Sequence, residues 1–394
     1  MNHIMATHVT DKPMPTIKAV NITEASVRHF NSRQQALKRA PLALIILIIS
    51  CLLLATIGIP VKAATYPAPG KALQHLKILS STDESVMKIL IADYQTRHPN
   101  ISIEYEESSS LTLFANFRAN YQQGRTADLI ISSAMDLQIK LVNDGHAATH
   151  ISKQPDTLPA WSQWRNQAFG FTYEPAVMVY NKTLLTGEDI PADRFELIEL
   201  LRKPVERFKG RIGTYDIEES GFGYLLASQD AQQASTWGRL TENLNNADVK
   251  LYDSTRGMLD ALESGELLLG YNVLGSYAYA AIEASDQLAM ILPSDYTLVM
   301  SRVAFVSKKA GNPEAGHQFL DYLMSLQGQQ LLARKARLYP IHPQVSGEAT
   351  YSGLQEATRN RGLLRLIKLG PALLTYQDQM KKANFLREWK KVIH

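Results

Sequence analysis

Five times along the chain, an apolar segment with the length of a strand leads through small hydroxyl or glycine residues into a segment with helical periodicity. The five junctions are residues 80–82, 108–110, 132–133, 220–221 and 275–276. Strands and helices that alternate over short connections are typical of α/β domains with a largely parallel sheet. The sequence therefore predicts an α/β fold whose strand ends carry small polar residues.

These junctions are also the candidate binding site, because ligands bind at the carboxyl ends of the strands in an open parallel sheet. Each helix that follows begins with unpaired N–H groups and the positive end of its dipole, which favour a carboxylate or a phosphate. A single serine at such a place is explained equally well as a helix cap. The candidate ligand-binding residues at the junctions are Ser80, Ser81, Thr82, Ser109, Ser110, Ser132, Ser133, Ser220, Gly221, Gly275 and Ser276.

Arg302 is a further candidate because it interrupts residues 298–306, which otherwise read as one apolar strand. A buried arginine needs a partner for its charge. Two interpretations stay open. The residue either forms an ion pair between two parts of the protein or acts as a bidentate clamp on an anionic ligand.

Residues 41–63 form an apolar block that follows two basic residues and ends with Val61 and Ala63 at positions −3 and −1 of a cleavage site. A basic flank, an apolar core and small residues at those positions are typical of a secretory signal peptide. The alternative is an uncleaved anchor, since residues 42–59 are long enough for a membrane helix. We predict cleavage after Ala63 and export to the periplasm, with an inner-membrane anchor as the alternative.

Removal of this block changes what the composition implies. Cys51 is the only cysteine, so the processed chain would have no disulfide and no thiolate for catalysis or metal binding. The whole chain has 41 basic and 38 acidic residues. Seven of the basic residues and two of the acidic residues precede the predicted cleavage site, so the remaining 331 residues have a net charge of −2. The basic pI of the whole chain is therefore no reason to expect nucleic-acid binding. We predict no metal site and no cofactor, because neither metal-ligand spacing nor a nucleotide motif is present.

The order of the predicted elements divides the chain into two lobes. We predict a leader and signal peptide at 1–63, a first lobe at 64–172, a second lobe at 173–297 with hinge strands at both ends, a return to the first lobe at 298–350, and a basic helical extension at 351–394. From Glu356 onward this extension has nine basic residues and three acidic ones. They form either a solvated helix face or a contact with an anionic membrane or an acidic partner.

Several segments within residues 76–340 carry a family resemblance. They are residues 78–81, 98–101, 127–133, 179–182, 209–213, the helix around Trp237, and 262–266. As a set they resemble the solute-binding proteins of bacterial ABC importers, in the ferric-iron-type group. Within that group the chain is most similar to the phosphoglycerate-transport regulatory proteins, which act with a membrane sensor kinase.

The resemblance implies a type II periplasmic-binding-protein fold, in which two lobes close on a ligand by a hinge motion. Iron-binding members use two adjacent tyrosines of the second lobe. The matching positions here are Tyr277 and Tyr279, and residues two apart on a helix do not face the same way. We therefore expect Tyr277 to flank an organic ligand, with no metal bound.

We expect a binding protein and not an enzyme, since no nucleophile–base pair or metal set stands out in the sequence. The predicted ligand is a small anionic organic solute, namely a phosphate ester such as phosphoglycerate or a sugar phosphate. Ferric-ion binding and a periplasmic phosphatase are the alternatives. The predicted partner is a membrane permease or a sensor kinase, and we expect the protein to act as a monomer.

Overall fold

The computed structural model describes residues 62–152, 158–203, 206–233, 235–358 and 364–393. The part of the chain after residue 60 forms one unit. The predicted signal peptide or anchor lies outside the described residues, apart from Lys62 and Ala63, which begin the first strand. None of the helices in these ranges combines the length and the apolarity that crossing a membrane requires.

The strands of the described residues form two sheets, and each sheet is the centre of one lobe. In chain order the strands are β1 (Lys62–Tyr66), β2 (Gln74–Ser80), β3 (Ile101–Glu107), β4 (Leu129–Ser132), β5 (Gln163–Trp164), β6 (Ala168–Gly170), β7 (Glu174–Asn181), β8 (Ile212–Tyr215), β9 (Lys250–Tyr252), β10 (Leu269–Leu274), β11 (Leu288–Ile291), β12 (Thr297–Met300), β13 (Val303–Val306) and β14 (Leu364–Leu366). The first sheet has the order β1-β3-β2-β4-β13-β6-β5. The second has the order β14-β12-β7-β10-β8-β9, with β11 paired to β7.

Helices follow the strands in the alternation that the sequence predicts. In chain order the α-helices of the described residues are α1 (Glu84–Arg97), α2 (Ser110–Gln122), α3 (Met135–Asn143), α4 (Arg194–Arg202), α5 (Gly221–Gln233), α6 (Trp237–Asn246), α7 (Thr255–Glu263), α8 (Gly275–Ala284), α9 (Pro313–Met324), α10 (Leu326–Leu331), α11 (Tyr351–Thr358) and α12 (Gln379–Ile393). In the first lobe, β2, β3 and β4 lead into α1, α2 and α3. In the second lobe, β8, β9 and β10 lead into α5, α7 and α8.

The sheets are less parallel than the sequence predicts. β2 is parallel to β3 and β4, and β8 is parallel to β9 and β10. In contrast, β13 is antiparallel to β4, and β7 is antiparallel to β10 and β12. Parallel neighbours need a long crossover connection. β7 and β13, the two strands that directly follow a short link between the lobes, are antiparallel to every described strand with which they pair.

Two short segments join the lobes. β6 of the first sheet leads through residues 171–173 to β7 of the second, and β12 of the second leads through Ser301 and Arg302 to β13 of the first. The first-lobe strand β13 thus begins five residues after the predicted boundary at 298. These two short crossings form the hinge region. The later strand β14 also belongs to the second sheet, but several helices separate it from β13 along the chain.

The interpretation of residues 298–306 as one strand is wrong. Val299 pairs with Pro175 in the second sheet, whereas Val303 pairs with Ser132 in the first. Two consecutive strands in different sheets can have the same apolar pattern as one long strand, so periodicity alone does not separate them.

Each lobe has an apolar core between its sheet and its helices. In the first lobe, fully buried side chains of the sheet such as Ile78 and Ile103 pack with Leu90 of α1. In the second lobe, Leu269 of β10 packs with Leu197 of α4 and Leu240 of α6, and Leu269 and Leu197 are fully buried. Burial of each such side chain contributes about 1.5–3 kcal/mol. The strand ends that border the space between the lobes are therefore held by a packed core.

The C-terminal extension is not wholly helical. β14 is parallel to β12 in the second sheet, and Pro371–Gln377 forms a 3₁₀ helix ahead of α12. Phe385 and Trp389 of α12 stack on Trp237 of the second lobe. The exposed basic residues of α12 are Lys381, Arg387, Lys390 and Lys391. Contact of this face with a membrane or an acidic partner stays a prediction.

Candidate functional site

A cleft of about 320 Å³ lies between the lobes, where helices of both lobes begin. The starts of α1, α2 and α3 meet it from the first lobe, and the starts of α5, α7 and α8 meet it from the second. Seven of the thirteen predicted site residues line this cleft, namely Ser81, Ser109, Ser110, Ser133, Ser220, Tyr277 and Arg302. The tertiary structure thus brings together four of the five predicted junctions and two residues predicted for other reasons.

The first lobe presents a row of hydroxyl groups because β3, β2 and β4 are neighbours in the sheet. Ser81 Oγ donates to Ser132 Oγ over 3.1 Å and accepts from the backbone N–H of Ser133 at 3.2 Å. Ser109 Oγ accepts from the backbone N–H of Thr112 at 3.2 Å and caps α2. Backbone contacts therefore orient these hydroxyls independently of any ligand.

The second lobe presents a similar set of hydroxyls. Ser220 Oγ accepts from the backbone N–H of Gly223 at 3.1 Å, near the start of α5. Ser254 Oγ caps α7, and Thr255 shares a hydrogen bond of 2.5 Å with the hydroxyl of Tyr215. Serine and threonine hydroxyls both donate and accept, so the two walls together suit a ligand that is rich in oxygen.

Six predicted residues do not line the cleft: Ser80, Thr82, Ser132, Gly221, Gly275 and Ser276. The hydroxyls of Ser80 and Ser132 accept from the backbone N–H groups of Thr82 and Ala134. Ser276 donates to Glu174, and Gly275 lies so close to Pro175 that an added Cβ would be 2.6 Å from its carbonyl oxygen. These residues shape the backbone that carries the cleft wall.

Gly221 lies where the lobes touch. A Cβ added at this glycine would be 2.9 Å from Ser110 Oγ and 3.1 Å from Leu137 Cδ1, both in the first lobe. The start of α5 therefore approaches the starts of α2 and α3 as closely as a residue without a side chain allows.

Arg302 forms an ion pair, which is one of the two interpretations that the sequence leaves open. Its Nε donates to Glu174 Oε1 over 3.0 Å, and its Nη2 donates to Oε2 over 3.3 Å. Its Nη1 donates to the hydroxyl of Thr82 in the first lobe over 2.7 Å. Both charged side chains are almost fully buried. Although Arg302 lines the cleft, two nitrogens of its guanidinium group already donate to the Glu174 carboxylate. The geometry therefore favours a hinge ion pair over a clamp on the ligand.

Two charged residues that the sequence analysis missed meet across the cleft. Arg256 Nη2 of α7 donates to Asp83 Oδ2 of the first lobe over 2.6 Å. Asp253 and Ser254 precede α7 as the serine clusters precede the other helices, and that similarity could have revealed the site. The signal was weak because β9, the strand before them, has only three residues.

The charges of the cleft wall are partly balanced. The wall has four carboxylates and two guanidinium groups, which belong to Asp83, Glu107, Glu219, Asp253, Arg256 and Arg302. Glu107 accepts from the backbone N–H of Glu84 at 2.6 Å, and Glu219 and Asp253 are exposed. Burial alone would raise the pKa of the Asp83 carboxyl, but hydrogen bonds from Arg256 and Tyr277 outweigh burial and lower it. Asp83 is therefore ionised at neutral pH.

Tyr277 and Tyr279 point apart, in agreement with their spacing on α8. The hydroxyl of Tyr277 donates to Asp83 Oδ1 over 2.7 Å, whereas that of Tyr279 donates to Glu348 Oε2 over 3.1 Å. Burial raises the pKa of Tyr277, which keeps its hydroxyl protonated. Across the described ranges, no group of three or more His, Cys, Asp or Glu residues is suited to a metal ion.

The model of the bacterial extracellular solute-binding protein family matches residues 79–330. The chain belongs to this family. Solute-binding proteins of ABC importers bind small solutes and deliver them to a membrane permease, and they act in the periplasm of bacteria. They are not a class of enzymes. Cleavage of the leader stays a prediction for this solute-binding protein.

Solved structures with the same fold include both organic-ligand and iron binders. The substrate-binding protein of an ABC transporter from Agrobacterium tumefaciens is 36% identical, with a TM-score of 0.81 over 85% of this chain and 99% of that one. AfuA from Actinobacillus pleuropneumoniae, with fructose-6-phosphate bound, is 16% identical, with a TM-score of 0.67 over 82% and 99%. Iron-bound HitA from Pseudomonas aeruginosa is 16% identical, with a TM-score of 0.64 over 81% and 99%. No curated protein matches the sequence.

These structures confirm the predicted two-lobe type II fold. They also agree with the resemblance to solute-binding proteins of bacterial ABC importers, while the similarity to the phosphoglycerate-transport regulators stays a prediction.

Proposed function

We propose that this solute-binding protein binds a small hydroxylated anion, namely a phosphate ester such as phosphoglycerate or a sugar phosphate. The observation that carries the proposal is that six helix starts, three from each lobe, meet at one cleft. The N–H groups and dipole of a helix start favour an anion. Arg256 adds an exposed guanidinium, whose planar fork matches a phosphate.

The rest of the cleft wall supports a ligand with hydroxyl groups. The serines of both lobes donate and accept hydrogen bonds, and the exposed carboxylates of Glu219 and Asp253 accept them from alcohols. The volume of about 320 Å³ is at the lower end of small-molecule sites. AfuA holds fructose-6-phosphate in the same fold, which makes a sugar phosphate a reasonable first probe.

Ferric binding is the second candidate, because iron-bound HitA shares the fold. The divergence of Tyr277 and Tyr279 disfavours it, since the two phenol oxygens have different partners and only Tyr277 lines the cleft. The alternative of a periplasmic phosphatase gains no support from the family, because solute-binding proteins are not an enzyme class.

We propose a membrane permease as the partner, uptake as the role, and a monomer as the working form. A sensor kinase is the alternative partner, and it would make induction of uptake the role. Deletion of the gene separates the two roles. Loss of uptake with unchanged expression of the permease fits the first, whereas loss of permease expression fits the second.

Phosphate esters are expected to stabilise the protein against heat, while their unphosphorylated analogues are not. A ligand at 100 times its dissociation constant adds roughly 2.7 kcal/mol to the free energy of unfolding. The measurement is a thermal-shift series with 3-phosphoglycerate, phosphoenolpyruvate, fructose 6-phosphate, glycerate, fructose, inorganic phosphate and ferric citrate. If no phosphorylated compound moves the melting curve, the proposal is wrong. A visible charge-transfer band with ferric citrate would favour the iron alternative.

Replacement of Arg256 by glutamine is expected to weaken binding of the active phosphate ester by about 10- to 100-fold, the usual effect of one lost hydrogen bond between charged groups. Arg239→Gln is the matched control, because Arg239 is exposed on α6 and does not line the cleft. Titration calorimetry gives both affinities. Equal affinities for the two variants would remove Arg256 from the proposed site.

Gly221→Ala is expected to weaken binding of the same ester several-fold with little effect on the unliganded fold. The added methyl group meets Ser110 and Leu137 of the first lobe, so it holds the closed lobes a few tenths of an ångström apart and costs about 1 kcal/mol. Gly238→Ala is the control, since a Cβ there has open space. An unchanged affinity for Gly221→Ala would show that closure does not depend on this contact.

A further inference from the structure

Asp83 stands at a helix start but does not cap its own helix. It is the residue before α1, where an aspartate side chain normally accepts from the first backbone N–H groups. Its side chain makes no such bond. The carboxylate of Glu107 accepts from the N–H of Glu84 instead, at 2.6 Å. The ordinary structural role of Asp83 is thus taken over by another residue.

The Asp83 side chain is directed at the other lobe. Its Oδ2 accepts from Arg256 Nη2 at 2.6 Å, and its Oδ1 accepts from the hydroxyl of Tyr277 at 2.7 Å. The backbone N–H of Asp83 donates to the same hydroxyl over 3.3 Å. Arg256 is on α7 and Tyr277 is on α8, so one residue of the first lobe is bonded to two helices of the second.

These contacts also separate two cavities. Arg256 and Tyr277 line the cleft on one side, and on the other side they line an alanine-rich groove of about 280 Å³ between the lobes. The groove wall includes Val86 of the first lobe and Leu338 beyond the hinge. Opening the Asp83 contacts would connect the cleft with this groove and admit water to the ligand.

We propose that Asp83 is a positioning residue that holds the two lobes closed and fixes Arg256 and Tyr277 at the cleft wall. This role in closure rests on the proposed function in one respect, namely that the cleft binds a solute. The contact is suited to repeated opening. The Arg256 side chain is 61% exposed and that of Asp83 is 26% exposed, so water reaches both partners when the contact opens.

The first test measures closure without any ligand. Asp83→Asn removes the charge that pairs with Arg256 but keeps the size of the side chain. In a full-length chain with Cys51→Ser, spin labels at Lys88→Cys in the first lobe and Glu242→Cys in the second report the distance between the lobes. We expect Asp83→Asn to move the distance distribution to longer values. An unchanged distribution would overturn the proposal.

Asp260→Asn is the matched control, because it removes the same charge one turn along α7 from Arg256 and lines the groove but not the cleft. It should leave the distance distribution as in the parent chain. If it opens the lobes as Asp83→Asn does, the effect is one of net charge and the specific contact is refuted.

The second test uses 3-phosphoglycerate as the probe. Asp83→Asn is expected to raise its dissociation constant about tenfold, the effect of one lost charge-assisted hydrogen bond, and Asp83→Glu is expected to restore part of the affinity. Tighter binding by Asp83→Asn would mean that Asp83 competes with the ligand for Arg256, and it would overturn the closure role. If no phosphate ester binds the parent chain, the proposed function fails while the distance measurement still decides the role of Asp83.

Discussion

Replacement of Arg302 by methionine is expected to lower the free energy of unfolding by about 3–5 kcal/mol, because it leaves the Glu174 carboxylate buried without a counter-charge. Arg302 and Glu174 have side chains that are 1% and 0% exposed. The guanidinium of Arg302 also donates to Thr82 over 2.7 Å, and the substitution removes this bond as well. Thr82 belongs to the first lobe and Glu174 begins β7 directly after the crossing segment, so the loss falls on the hinge.

An exposed ion pair provides the control for this prediction. Arg337 and Glu283 form a salt bridge whose side chains are 36% and 41% exposed, and Arg337→Met is expected to cost no more than about 1 kcal/mol. The double variant Arg302→Met/Glu174→Met should recover much of the loss, because it removes the unpaired charge. Urea denaturation of the four proteins gives the comparison. Similar losses for Arg302→Met and Arg337→Met would contradict the assignment of a buried hinge ion pair.

Asp136→Asn is expected to stabilise the protein at neutral pH. Asp136 is buried in the first turn of α3, next to the cleft. Burial raises the pKa of its carboxyl from 3.8 to about 6, although hydrogen bonds from Gln377 and the backbone and the charge of Lys382 act in the opposite direction. Each unit of such a shift is worth about 1.4 kcal/mol, so ionisation of the folded protein costs on the order of 3 kcal/mol. Asparagine carries no charge and can still accept from Gln377.

The sign of the pH dependence follows from the raised pKa. Between about pH 4 and pH 6 the folded state keeps a proton on Asp136 that the unfolded state has lost, so stability falls as the pH rises through this window. Asp136→Asn should therefore match the parent protein near pH 4 and exceed it above pH 6. Asp144→Asn, at the exposed end of α3, is the control. A gain for Asp136→Asn that is the same at pH 4 and pH 7 would contradict the buried acid.

Asp136 also matters for the way the lobes are joined. Gln377, which donates to it, follows Tyr376, whose carbonyl oxygen accepts from the hydroxyl of Tyr224 in the second lobe at 2.5 Å. The C-terminal segment thus contacts both lobes beside the cleft. The stability measurements on Asp136 variants therefore also probe the attachment of this segment to the first lobe.

Some site residues could be predicted because their signal is local. Ser81, Ser109, Ser133 and Ser220 stand between a strand and a helix, and a few residues on either side are enough to recognise that place. Parallel neighbours then bring strand ends to one edge, which follows from the fold class alone. The two-lobe organisation was predictable for the same reason, since a long strand at residues 174–181 separates two runs of alternating elements.

Other site residues depend on pairing between distant parts of the chain. Asp83 and Arg256 are 173 residues apart, and Arg302 and Glu174 are 128 residues apart. The sequence shows that Arg302 is charged but does not show which residue pairs with it. The choice between a ligand clamp and an ion pair therefore depends on the tertiary structure, which places Glu174 beside it. The change of sheet within residues 298–306 was hidden in the same way, because strand partners are also distant in sequence.

The sequence by itself determined the alternation of strands and helices, the serine and glycine junctions, the divergence of Tyr277 and Tyr279, and the family to which the chain is similar. Those properties follow from periodicity and helix geometry, which act over a few residues. Only the tertiary structure decided which junctions face the cleft, that Arg302 is bound to Glu174, and that Asp83 reaches across to Arg256 and Tyr277. These properties arise when hinge and lobes bring distant residues within hydrogen-bond distance, and local sequence does not encode such distances.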